Sequence, residues 1–133
     1  MPQYKLSVVA KDGVQERLEI YGPTVRKISC SFDRLFEIAA RYPTHERAVD
    51  SFYELQHDIW YEGTGVKPTL ANIALDMRRV LTADLDYPLI IIKPLGLVDG
   101  THRLVKAKLL GHKFVKCTTI TLDEFVDHVR KSP

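Results

Sequence analysis

Gly96-Leu97-Val98-Asp99-Gly100-Thr101-His102-Arg103-Leu104-Val105-Lys106-Ala107 carries the strongest architectural signal in the chain. It reads as a short buried strand, a tight Asp-Gly turn, and a helix with Thr, His and Arg in its first turn. A helix start offers unpaired N–H groups and the positive end of the helix dipole, so it attracts anions. Gly100 lets the backbone approach a ligand closely. A hydroxyl, an imidazole and a guanidinium at that end make a phosphate cradle. His102 and Lys106 are four apart and share a face.

Outward from this turn, the preceding segment is a second fold signal. Leu89-Ile90-Ile91-Ile92 is a continuous apolar run suited to a strand covered on both faces, closed by Pro94. After the turn, the helix runs from Thr101 to Leu110 and stops at Gly111. Phe114–Thr121 reads as a strand, and Thr121-Leu122-Asp123-Glu124 as a capping box opening a last helix. That helix buries Leu122, Phe125, Val126 and Val129.

The N-terminal half reads as two strands, Tyr4–Ala10 and Gln15–Tyr21, joined by a hairpin signal at Lys11-Asp12-Gly13 and followed by a break at Gly22-Pro23. Ser31 caps a helix with Phe32, Leu35, Phe36 and Ala39 on its inner face. A second helix is expected from Glu46 to Trp60, with Val49, Phe52, Gln56 and Ile59 aligned. A third starts near Pro68, with a core stripe of Leu70, Ile73, Ala74, Met77 and Leu81. Asn72, Asp76 and Arg79 fall opposite it.

The 133 residues fit one domain of α+β class, a small mixed sheet with surrounding helices. No apolar run approaches the ~20 residues of a membrane span, and Met1–Lys5 has no signal-like block, so the cytoplasm is the expected compartment. Cys30 and Cys117 are too distant for a CxxC site and read as reduced thiols. Between Gly100 and Leu122 there are five Lys or Arg and no acid. This fits either an anionic ligand or an ordinary solvated surface.

Each polar residue has a structural alternative. Asp99 suits a divalent cation or a proton acceptor, and equally a helix cap. His102 suits a ligand or a structural hydrogen bond, and Arg103 a phosphate or a neighbouring carboxylate. Asp84 and Asp86 could join Asp99 around Mg²⁺, or simply shape a helix end and a turn. Trp60, Tyr61 and Tyr53 could stack a base, or pack into the core. Gly63-Thr64-Gly65-Val66-Lys67 lacks the Gly-Lys-Ser/Thr of a P-loop and is rejected.

Together these residues resemble the ParB/sulfiredoxin-like family. The likeness covers about residues 68–121, notably Ala83–Ile90 and Val98–Leu104. Thr101 stands where sulfiredoxins carry the catalytic Cys, so sulfinic acid repair is not implied. Only Arg103 matches the Arg-rich box with which ParB partition proteins bind CTP. The Asp-Gly-Thr-His-Arg turn is similar to the Asp-Gly-His-Thr-Arg turn of free serine kinases in the family, with two residues exchanged.

The resemblance implies binding of a nucleotide or other phosphorylated ligand, ATP or CTP with Mg²⁺, and a kinase or nucleotide hydrolase as the enzyme class. Gly100, Thr101, His102, Arg103 and Lys106 would hold phosphate. Asp99, His102 and Arg103 would act in catalysis, with Asp99 also the metal ligand. The alternatives are a non-catalytic regulatory or protein-interaction module, and a nucleic-acid-binding protein.

Overall fold

The computed structural model describes residues 4–11, 14–22 and 27–131. The expected hairpin turn at Asp12-Gly13 and the break at Pro23 lie outside the described residues. The order is β1 (Lys5–Lys11), β2 (Val14–Tyr21), β3 (Ile28–Ser31), α1 (Phe32–Ala39), β4 (His45–Ala48), two 3-10 turns (Val49–Ser51, Tyr53–Gln56), α2 (Leu70–Thr82), β5 (Leu89–Lys93), β6 (Gly96–Asp99), α3 (Thr101–Leu109), β7 (Phe114–Thr121) and α4 (Leu122–Lys131). The class is α+β, as expected, but with two small sheets instead of one. The first is the antiparallel order β1-β2-β3, and the second is β4-β7-β5-β6. No helix among the described residues is long and apolar enough to cross a membrane.

Two compact units emerge, Met1–Pro43 with Ile90–Val98 and Thr118–Pro133, and Thr44–Leu89 with Asp99–Cys117. In the first, the alternating inner face of the antiparallel sheet (Leu18, Ile20, Cys30) joins Leu35, Ile92 and Phe125 in one buried cluster. Ser31 caps α1 as the sequence suggests, its Oγ accepting from Arg34 N at 3.0 Å. The inner face of α1 uses Ile38 where Phe36 was expected, and Phe36 is exposed. Thr121 Oγ1 accepts from Glu124 N at the start of α4, as a capping box requires.

In the second unit the helix expected from Glu46 to Trp60 does not form. Its first residues are β4, paired antiparallel with β7, and Val49 N donates to Lys113 O. The ladder satisfies backbone groups that a lone helix would have satisfied internally, and tertiary pairing overrides a moderate helical pattern. Val49 and Phe52 are buried, whereas Gln56 and Ile59 are not.

Helix α2 forms, with Thr69 as its cap and Pro68 just outside. Its facing is the reverse of expectation. Leu70, Met77 and Leu81 are 88%, 60% and 68% exposed, and the residues it buries are Asp76 and Val80. The partners of Asp76, described next, account for this inversion.

Candidate functional site

The site lies wholly within the second unit and is built around the start of α3. Gly100 sits at φ +111°, a conformation that L side chains rarely adopt. A Cβ there would meet Leu89 Cγ at 2.8 Å and Arg103 Nη2 at 3.1 Å. Glycine is therefore required by backbone angle and by space together. This turn sends the chain from β6 into α3, whose first bond runs from Leu104 N to Gly100 O. No side chain caps the α3 start, in contrast to Ser31 at α1 and Thr69 at α2.

All five polar side chains of the expected cradle are close to this turn, and each meets a partner in the protein. Arg103 Nη2 donates to Asp99 Oδ2 at 2.5 Å, and Nη1 donates to Pro88 O at 2.9 Å. The two charged side chains are only 15% and 14% exposed. His102 Nε2 lies 2.9 Å from Asp76 Oδ1. The indole of Trp60 stacks on the His102 ring, with centroids 4.7 Å apart and planes 18° apart. Trp60 Nε1 donates to Thr101 Oγ1 at 3.0 Å. Lys106 turns from the helix start and donates to Leu81 O and Ala83 O, where it caps the end of α2.

Asp76, Tyr61 and Trp60 complete this arrangement. Asp76 is 8% exposed and takes the Tyr61 hydroxyl on Oδ2 and His102 on Oδ1. Arg79, one helical turn on, lies 3.8 Å from the same carboxylate. The hydrogen bond to Asp76, aided by desolvation, pushes the Tyr61 phenol up to about 12. The apolar spacing of α2 puts Asp76 on the opposite, solvent side, with no role, whereas the folded chain buries it. No local pattern links residues 60, 61 and 76 to residue 102, because the partners are 15 to 41 positions apart.

The acids considered for Mg²⁺ do not gather. Asp84 Oδ1 accepts from Asp86 N at 2.9 Å, an Asx turn, while Asp99 faces Arg103. Among the described residues no group of three or more His, Cys, Asp or Glu could hold a metal ion. Chemically, the arrangement is a polar clamp joining α2, α3 and the segment after the second 3-10 turn. No protein-family model, curated protein or solved structure matches the chain.

Proposed function

We propose that the chain is a non-catalytic protein-interaction module on a ParB/sulfiredoxin-like fold, and that α2 is its contact face. The order β5, β6, Gly turn, α3 supports that fold. The observation that carries the function is the outward stripe of Leu70, Ile73, Met77 and Leu81. Covering Leu70, Met77 and Leu81 would contribute about 3–6 kcal/mol, and apolar surface of this extent marks interaction sites.

The occupant is an amphipathic partner helix with acidic flanks. Arg78 is exposed and lies beside the stripe at i+4 from Ala74, while the sole acid of α2, Asp76, is buried. Charge complementarity therefore favours acids on the partner. Loss of phosphoryl chemistry fits the internal pairing of Arg103, His102 and Lys106.

The test uses two synthetic helical peptides with the same leucine stripe, one flanked by Glu and one by Lys. Titration calorimetry should show binding of the Glu peptide, strong preference over the Lys peptide, and loss of binding in Leu81→Asp. Equal affinity for both peptides, no binding of either, or dimerisation through this face detected by light scattering would overturn the reading.

A second reading keeps the phosphate site, because α3 alone among α1, α2 and α3 begins without a side-chain cap. There the amides of Thr101 and His102 would hold an ATP or CTP phosphate with Mg²⁺. Calorimetry with ATP and CTP separates the two readings: nucleotide binding that weakens in Thr101→Pro supports the second.

A further inference from the structure

We propose that the turn between α3 and β7 attaches the protein to the surface of an anionic lipid bilayer. Every residue from Lys108 to Phe114 is exposed. Within that run Leu109, Leu110 and Phe114 are 69%, 58% and 55% exposed. A single exposed leucine is ordinary, but three large apolar side chains at one turn make a patch that the fold leaves uncovered. None of them belongs to the stripe of α2.

The turn is held in shape and stands clear of the chain around it. Leu110 N donates to Lys106 O, Gly111 N to Lys108 O and His112 N to Ala107 O, while Lys113 O accepts from Val49 N. Gly111 sits at φ +77°, and a Cβ built there would meet nothing within 4 Å. An apolar tip fixed in this way loses little conformational freedom when it enters a bilayer interface.

The charges beside the tip select the kind of surface. Lys108, Lys113 and Lys116 flank it in sequence, and no Asp or Glu occurs between Gly100 and Leu122. Two acidic residues of other segments touch these lysines. Asp50 pairs with Lys108 at 2.7 Å, and the Asp86 carbonyl accepts from Lys116. Both members of the first pair are largely exposed, so a lipid phosphate can replace Asp50 at little cost. Lysine stems lie along apolar surface and carry their ammonium groups to headgroup level. Leucine and phenylalanine reaching the acyl boundary, with lysines at the phosphates, is the pairing that interfacial attachment uses. A single-stranded nucleic acid would accept the charge but leave Leu109 and Leu110 in water. Attachment of this kind needs no membrane-spanning helix.

The full chain is sedimented with vesicles of phosphatidylcholine alone and with vesicles containing about 30% phosphatidylserine. We expect it to pellet with the anionic vesicles, at least about fivefold more strongly than with phosphatidylcholine alone, and less so at high salt. Leu110→Glu should weaken partition at least about tenfold, and Lys113→Glu at least about fivefold. Both positions are exposed, and circular dichroism checks that each variant is folded. Lys5→Glu, an exposed site on β1 with the same change of net charge, should stay within about twofold of the parent chain. No pelleting with either vesicle, unchanged partition in the folded Leu110→Glu chain, or an equal loss in Lys5→Glu would overturn the proposal. So would binding of a single-stranded RNA, or of the Glu-flanked helical peptide, that is lost in Leu110→Glu while vesicles are not bound.

Discussion

Replacing Asp76 with Ala removes the acceptor that joins His102 and Tyr61, and its cost can be worked from the geometry. Both bonds end on one carboxylate whose side chain is only 12% exposed. A hydrogen bond to a charged group contributes about 1.5–3 kcal/mol net. His102 retains 24% exposure, so water can partly replace its lost partner, and the lower end of the range applies. The expected loss is about 3 kcal/mol for the two bonds together. For a chain of this size that lowers Tm by roughly 9–15 °C. Asp76→Asn keeps one acceptor oxygen and should lose about half as much. Urea unfolding followed by circular dichroism gives the free energies, and a cycle with Tyr61→Phe should show coupling of about 1 kcal/mol. A loss below about 0.5 kcal/mol for Asp76→Ala would refute the clamp as the reason α2 turns its acid inward.

The same geometry sets three further outcomes. Tyr61 is raised to about 12 in the folded chain against an ordinary 10, so folding favours its neutral form. Its contribution is then complete below pH 10 and is lost as pH rises towards 12; urea midpoints measured up this range should fall less steeply in Tyr61→Phe than in the parent chain. Gly100→Ala forces a side chain into φ +111° and against Leu89, and should cost about 2–4 kcal/mol in the same unfolding assay. Cys117 is pushed up to about 11 and Cys30 is also raised, both by burial. Thiol labelling at pH 8 should therefore be slow in the native protein and fast in urea, and rapid native labelling of either would contradict the buried placement.

Local signals carried much of the chain. Ser31, Thr121 and Gly111 mark helix ends through their own side chains or backbone angle, and these boundaries are where the sequence puts them. The apolar run Leu89–Ile92 is buried at all four positions, because a strand with apolar residues on both faces needs cover on both. The Asp99–Arg103 turn was also readable, since a glycine between strand and helix is a local backbone requirement. The alternative reading of Arg103, a guanidinium beside a carboxylate, is the arrangement observed.

Features encoded within a few residues, namely the caps, the buried run and the turn into α3, are thus legible in the chain itself. The remaining features depend on contacts between segments far apart in sequence. β4 replaced a helix because a distant strand, β7, supplied its hydrogen bonds. Asp76 faced inward, and an apolar stripe outward, because His102 and Tyr61 converge on that carboxylate from remote parts of the chain. Periodicity ranks residues by hydrophobicity alone, whereas a buried acid is set by the partners that satisfy it, and those partners are brought near only by folding.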